Sequence, residues 1–152
     1  MADTAKNLQN FTKLGLGLRV DKATATLPQT AASTLFTVTV GRVLVNLIIG
    51  EVTTIIQVIA NATKLVNNPT PAGASSDLCA TLDITGDAVG AYYTISGVAA
   101  DALRDALYRG VGMTAPIIIG PGTIDLDCAG SATGSVKWSI WYLPLDEGAV
   151  LA

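Results

Sequence analysis

Apolar and polar residues alternate in several short stretches of the chain, and this period of two is typical of a half-buried β-strand. The clearest example is Val136–Leu143, where Trp138, Ile140 and Tyr142 would share one face. Turn residues separate several shorter alternating or apolar stretches, which cover residues 14–27, 35–40, 78–85, 91–96, 116–119 and 123–127. The pattern predicts an all-β domain of about eight to ten short strands, arranged as a β-sandwich or a jelly-roll-like fold.

The longest apolar run is Val43–Ala60. Asn46 and Gly50 interrupt it, and we expect two strands, at 43–49 and 52–59, on either side of a turn. Few polar residues stand on either face of these strands, which predicts burial of both faces. Because only one face of each sheet meets the core of a small sandwich, we expect a neighbouring subunit to cover the other. Glu51 near the centre argues against a membrane span.

Two segments depart from the strand pattern. Leu103 and Leu107 are four residues apart within Ala99–Arg109, which predicts a short helix or an ordered loop. Residues 1–13 are polar and aperiodic, and we expect a mobile tail or an arm that orders only against a neighbour. The predicted organisation is therefore an N-terminal arm at 1–13 and one β-sandwich domain at 14–152.

Composition narrows the function classes. Only 14% of the residues are charged and the mean hydropathy is +0.50, so we expect some apolar surface to be covered by a partner. The net charge is −3 and the basic residues are scattered. Nucleic-acid binding needs a basic patch, so we do not expect a nucleic acid as a partner. Histidine is absent, which excludes Ser-His-Asp and Cys-His catalysis and removes the commonest metal ligand. Ser-Lys and Thr-based catalysis stay open, but the lysines lie in no recognisable nucleophile motif and no G-x-S-x-G occurs, so we expect a protein that is not an enzyme and holds no cofactor.

Carboxylates offer one candidate metal site. Asp125 and Asp127 are two residues apart and would project from one face of a strand. Together with Asp83 or Asp87 they could supply the oxygen ligands that Ca²⁺ prefers. The alternative is that they form a solvated outer face opposite Ile124 and Leu126. The sequence favours this second interpretation, and the spacing matches no EF-hand loop.

Cys79 and Cys128 are the only cysteines in the sequence. Cys79 alternates with Thr81, in an outward set, whereas Cys128 alternates with Leu126, in an inward set. Opposite orientation argues against a disulfide bond, and we expect two free thiols.

Large aromatic side chains mark candidate contact residues. Trp138 and Trp141 would face opposite sides of one strand, so that one belongs to the core and the other can anchor an interface. The interface candidates are Phe11, Leu14, Trp138, Trp141 and Tyr142. An alternative role is stacking of Trp141 on a sugar ring, assisted by Asp125 or Asp127.

Three segments in the second half of the chain carry a resemblance: Ala80–Gly97, Pro116–Ala129 and Gly134–Ala152. They resemble small virion structural proteins of tailed bacteriophages, in particular capsid decoration, or cement, proteins. The resemblance begins at Leu78 and assigns no site residues.

This resemblance implies a structural subunit on the capsid surface of the virion, assembled in the host cytoplasm. The implied partners are the major capsid protein, with capsomers bridged by the subunit, and further copies of the chain, with a homotrimer favoured over a dimer. A tail or connector subunit, or a carbohydrate- or cell-surface-binding β module, is the alternative.

Overall fold

In the computed structural model, which describes residues 15–70 and 73–152, twelve strands form within these ranges. In chain order they are β1 Leu18–Thr26, β2 Ala31–Thr39, β3 Val43–Thr54, β4 Ala62–Pro69, β5 Ser76–Asp77, β6 Leu82–Asp83, β7 Ala91–Thr94, β8 Arg104–Leu107, β9 Ile117–Ile119, β10 Gly122–Cys128, β11 Ser135–Pro144 and β12 Val150–Leu151. They form two antiparallel sheets that pack together, which confirms the predicted all-β sandwich. The expected arm at 1–13 lies outside the described residues.

Each sheet has six strands, and the chain crosses between the sheets repeatedly. Sheet A has the order β1-β11-β3-β7-β8, and β9 also pairs with β3. Sheet B has the order β12-β2-β10-β4-β5, and β6 also pairs with β4. The turn at 120–121 joins β9 in sheet A to β10 in sheet B. It therefore links the two sheets and does not close a β-hairpin. Gly122 has a φ of +148°, and a Cβ there would collide with the Asn68 carbonyl, so the turn requires glycine.

The core lies between the two sheets and is built from the inward positions of the long strands. Along β11 the inward residues are Val136, Trp138, Ile140 and Tyr142, as the alternation predicts. They face inward residues of sheet B, among them Phe36, Val38, Leu65, Ile124 and Leu126. Burying side chains of this size contributes about 1.5–3 kcal/mol each, so this layer supplies most of the driving force for folding.

The apolar run from residue 43 forms one strand and not the two that the sequence predicts. β3 continues through Gly50, which pairs with Trp138 of β11 on one side and Tyr93 of β7 on the other. The strand then ends at Thr54, earlier than predicted. The apolar residues that follow leave the sheet.

Three further elements differ from the sequence prediction. The segment at 99–109 forms no helix: Leu103 is 1% exposed and Leu107 is 54% exposed, and residues 104–107 pair with β7 as strand β8. A three-turn helix is marginal by itself, whereas pairing satisfies the backbone groups of a free sheet edge. β4 was not predicted, because Asn67 and Asn68 give it the composition of a loop. The strand predicted at 78–85 is reduced to β6.

Candidate functional site

The structure places the predicted interface residues in three different environments. Phe11 and Leu14 lie outside the described residues. Trp138 and Tyr142 are buried in the core, which leaves their side chains no surface to offer a partner. Trp141 is the one described candidate on the outer face of a sheet. It is therefore the one described candidate that can still contact a partner.

Trp141 lines an open groove of about 440 Å³ on the outer face of sheet A. Leu47 and Ile49 of β3 form part of its lining, and Trp141 and Tyr92 stand on the strands at either side of β3. The other residues that line the groove are Arg19, Glu51, Thr94, Gly110, Val111, Gly112, Lys137 and Ser139. The groove therefore combines apolar and aromatic side chains with polar ones.

The charged groups around this groove are paired with one another. Lys137 Nζ lies 2.9 Å from Glu51 Oε2, and the Arg19 guanidinium carbon lies 5.1 Å from the centre of the Trp141 ring. Asp21 accepts hydrogen bonds from the Ser139 hydroxyl at 2.5 Å and from Arg19 Nε at 2.8 Å. These two bonds lower the pKa of Asp21, and the bond from Ser139 has the larger effect. An apolar centre with a charged rim is the usual composition of a protein interface.

A segment of the same chain crosses the outer face of sheet A. A Cβ on Gly110 would lie 3.4 Å from Thr94 Cγ2, and one on Gly112 would lie 3.8 Å from Leu47. The segment is held at its ends, where Tyr108 N–H donates to the Gly90 carbonyl at 2.8 Å and Thr114 N–H donates to the Ser96 carbonyl at 3.0 Å. Part of the cover that the sequence assigned to a neighbouring subunit thus comes from residues 108–115.

Four exposed apolar residues lie on two loops at one end of the sandwich, and we call them the end patch. Its members are Ile55, Val58, Ile59 and Val89, of which Val58 is 80% exposed. The first three follow β3, and Val89 lies in the loop that precedes β7. The sequence predicts a strand at 52–59 and therefore does not indicate that these residues are exposed. No feature of the sequence marks the end of β3, because Ile55–Ile59 is as apolar as the strand itself.

The loops that carry the end patch are fixed by hydrogen bonds. Ile56 N–H donates to the Asp87 carbonyl at 3.0 Å, which joins the two loops. Gln57 N–H donates to the Thr133 carbonyl at 2.9 Å, and Thr133 N–H returns a bond to the Gln57 side chain at 3.2 Å. A preformed apolar surface loses little conformational entropy when a partner binds, which favours affinity.

The aspartates considered for a calcium site occupy separate places. Asp125 and Asp127 lie on the side of sheet B away from the core, but Asp125 is only 9% exposed and is not solvated as predicted. Asp83 accepts a hydrogen bond from Asn61 N–H at 2.9 Å, and Asp87 accepts one from the Tyr93 hydroxyl at 2.7 Å. Within residues 15–70 and 73–152, no group of three or more histidine, cysteine or carboxylate side chains is arranged to hold a metal ion.

Trp141 and the pair Asp125–Asp127 do not form one site. Trp141 belongs to the outer face of sheet A, whereas both aspartates belong to sheet B, on the opposite side of the sandwich. A sugar site that combines them, as the sequence suggested, is therefore wrong. The polar partners that the structure does bring beside Trp141 are Arg19, Lys137 and Glu51.

Both cysteines are free thiols, as predicted, but the orientation assigned to Cys79 is wrong. Cys79 and Cys128 are both fully buried. Leu65 N–H donates to Cys79 Sγ at 3.3 Å, and the Thr63 hydroxyl donates to Cys128 Sγ at 3.6 Å. Burial raises the pKa of each thiol.

Comparison with known proteins found no matching family model, no similar curated protein and no similar solved structure. Among the described residues, no helix has the length and apolarity needed to cross a membrane.

Proposed function

We propose that this chain is a non-enzymatic structural subunit that binds other proteins through its end patch. The observation that carries the proposal is the exposure of Ile55, Val58, Ile59 and Val89 together on two loops that hydrogen bonds hold in place. Single exposed apolar residues are common on protein surfaces, but a group of this kind is typical of a contact site. The partner is a protein with a complementary apolar surface.

The end patch is small, and its energetics favour repeated attachment. Each of its side chains would contribute at most about 1.5–3 kcal/mol if a partner buried it completely, and association itself has a cost of several kcal/mol. One contact of this size is weak. Copies attached together to a repetitive surface bind far more strongly, because each further contact forms at a high effective concentration.

A repetitive surface of this kind is what the resemblance to decoration proteins implies. We therefore propose that the subunit binds the outside of an icosahedral phage head, contacts the major capsid protein and stabilises the shell by bridging capsomers. The end patch would contact the capsomer, and the sandwich would project from it. The resemblance and the exposed apolar loops support this proposal independently of each other.

The test is binding to undecorated phage heads. The purified chain should cosediment with heads in a fixed ratio and raise the temperature at which they rupture. Val58→Asp should abolish both effects, because it places a charge in the proposed contact. Val40→Asp is the matched control: Val40 is 76% exposed, lies at the other end of β3, and should tolerate the change. Absence of binding, or equal loss in both variants, contradicts the proposal.

A tail or connector role makes a different prediction. Such subunits assemble into rings or tubes, so negative-stain images of the purified chain would show closed rings or hollow tubes without any head. A decoration subunit forms neither under the same conditions. The same preparation therefore distinguishes the two virion roles.

One observation favours a carbohydrate-binding function as a second candidate. Trp141 and Tyr92 line the groove on sheet A together with Arg19, Glu51 and Lys137, and sugars bind aromatic rings flanked by polar groups. Binding to a glycan array that Trp141→Ala removes and Val58→Asp leaves unchanged would support this function. A glycan array without hits would exclude it for the glycans presented.

A further inference from the structure

Strand β1 lies at the edge of sheet A. β1 pairs with β11 through one edge, and no other strand among the described residues pairs with its second edge. Of its nine residues only Val20 is half-buried, and the others are exposed. A strand edge with unpaired backbone groups is a ready template for another strand.

The regular part of β1 is short and has a defined centre. Gly17, with a φ of +94°, precedes the strand, and an irregularity in the pairing with β11 lies between Lys22 and Ala25. The uninterrupted stretch is therefore Leu18–Lys22, and its middle residue is Val20.

Two of the three charges on this stretch, those of Arg19 and Asp21, are self-complementary, and the third, Lys22, would lie opposite Leu18 of the other copy. Arg19 and Asp21 stand on either side of Val20 and on the same outer face, where their side chains are more than half exposed. When two such strands run antiparallel about a twofold axis at Val20, Arg19 of each lies opposite Asp21 of the other. Opposite charges in directly paired positions stabilise a sheet, and like charges destabilise it.

We propose that two copies of this chain join through β1, antiparallel and with Val20 opposite Val20 of the partner, so that the two A sheets become one continuous sheet. This contact uses a surface different from the end patch and does not depend on the phage-head proposal. It forms a twofold pair, where the resemblance to decoration proteins favours a trimer.

The neighbouring rows of side chains fit this register. On the inner face Val20 pairs with Ile140, so the row Ile140–Val20 would continue into the same apolar row of the partner. On the outer face Arg19 pairs with Trp141 and Asp21 pairs with Ser139. The two ion pairs of the dimer would therefore lie between an aromatic ring of one copy and a hydroxyl of the other. No like charges face each other in this register.

The contact is small, so we expect the two copies to associate weakly. A pair of five-residue strands buries less than the roughly 1,600 Å² of a standard interface, so we expect a reversible dimer that forms as concentration rises. Sedimentation velocity of the full chain, from micromolar to millimolar concentration, should show a monomer that converts to a dimer.

Charge exchange gives the first decisive test. Arg19→Asp places aspartates opposite one another, and Asp21→Arg places arginines opposite one another, so each variant alone should dimerise at least tenfold more weakly. An equimolar mixture of the two should dimerise again, because each Asp then faces an Arg. Lys64→Asp, which breaks an ion pair on sheet B, is the control and should behave as the unchanged chain. Circular dichroism verifies that each variant is folded.

Cross-linking gives the second test and fixes the register. Directly opposed antiparallel residues have Cα atoms about 4.5–5.5 Å apart, which permits a disulfide bond. Val20→Cys should form a covalent dimer on mild oxidation. Leu18→Cys should not, because its two copies would lie about 13–14 Å apart along the strands.

A mixture of Leu18→Cys and Lys22→Cys chains should form a mixed covalent dimer, since these positions are opposite each other in the proposed register. A chain that stays monomeric at millimolar concentration, a trimer unaffected by the Arg19 and Asp21 variants, or cross-linking of Leu18→Cys in place of Val20→Cys would each overturn the proposal.

Discussion

Gly50 lies directly opposite Trp138 in the register of β3 and β11, and the Trp138 ring covers it. A Cβ on Gly50 would lie 2.8 Å from two carbons of that ring. Tyr93 pairs with Gly50 from the other side, and the Tyr93 and Trp138 ring centres are 6.3 Å apart. The absence of a side chain at residue 50 thus allows two large aromatic rings to meet across β3.

Replacing Gly50 should therefore destabilise the fold although β3 remains a strand. We expect Gly50→Ala to lower the free energy of unfolding by about 1–3 kcal/mol, the usual cost of overpacking a core. Urea denaturation followed by tryptophan fluorescence measures the change. Gly120→Ala is the control, because a Cβ there meets nothing within 4 Å. Equal effects of both variants would show that the Trp138 contact is not the cause.

The burial of Asp87 predicts a pH dependence of stability. Burial raises the pKa of Asp87, and Asp105 and Asp83 raise it further, against the opposing effect of the Tyr93 bond. A group whose pKa is raised by folding stabilises the fold below its unfolded pKa and loses that contribution as the pH rises through the folded pKa. The charged form of Asp87 is thus a cost at neutral pH.

We expect Asp87→Asn to remove this loss, since the amide oxygen can still accept the hydrogen bond that the Tyr93 hydroxyl donates. The stability of the variant relative to the unchanged chain should rise between pH 4 and pH 7, as measured by urea denaturation at each pH. Glu147→Gln, on an exposed residue, controls for the change in net charge. A difference between the two chains that does not vary with pH would contradict the assignment to Asp87.

The pair Arg42–Asp146 has the opposite pH dependence. Asp146 accepts hydrogen bonds from Arg42 N–H at 2.8 Å, Nε at 2.9 Å and Nη2 at 2.7 Å. These bonds hold the pKa of Asp146 well below its usual range. Because folding lowers this pKa, the stabilisation is fully present above the unfolded value of about 3.9, declines gradually below it, and is lost as the pH falls through the much lower folded value.

Asp146→Asn should accordingly lower the thermal unfolding temperature at pH 7, and its effect should decrease progressively as the pH is lowered from 4 to 2. The pair joins the turn before β3 to the segment that leads into β12, so hydrogen exchange should also increase in β12. Lys137→Gln, which breaks a different exposed ion pair, should leave β12 protected. An effect of Asp146→Asn that is as large at pH 2 as at pH 7 would exclude the ion pair as its origin.

The two cysteines should be unreactive in the folded protein. Both are buried and their pKa values are raised, so little thiolate is present or accessible. We expect a thiol reagent such as DTNB to modify them at the rate of unfolding, and both to react at once in urea. Val58→Cys supplies an exposed thiol as the positive control and should react before the other two. Rapid modification of the unchanged chain would contradict the burial of these residues.

The local sequence pattern was sufficient to predict the strands whose two faces differ in polarity. In β11 polar or half-exposed residues alternate with Val136, Trp138, Ile140 and Tyr142, and the structure buries those four. The same reasoning failed for β3, where both faces are apolar and the period carries no information about where the strand ends. Gly50 was interpreted as a turn because glycine usually marks one, and its contact with Trp138 involves a residue 88 positions away.

The surfaces proposed for function were predictable to different degrees. The sequence indicated Trp141 as an outward residue, and β11 does present it on sheet A. It did not indicate the end patch, because the same apolar residues would be buried if β3 continued past Thr54. It also paired Trp141 with Asp125 and Asp127, because no local rule shows that β10 and β11 belong to different sheets.

The sequence by itself determined the class of fold, because β-branched residues, alternation and frequent turn residues act over a few positions at a time. Only the tertiary structure decided which strands are neighbours. It therefore decided that β1 has no second neighbour among the described strands, and that Ile55, Val58 and Ile59 are exposed. Those outcomes depend on pairings between residues distant in the chain. Their stability comes from the combined burial of both sheets, and no single segment contains that information.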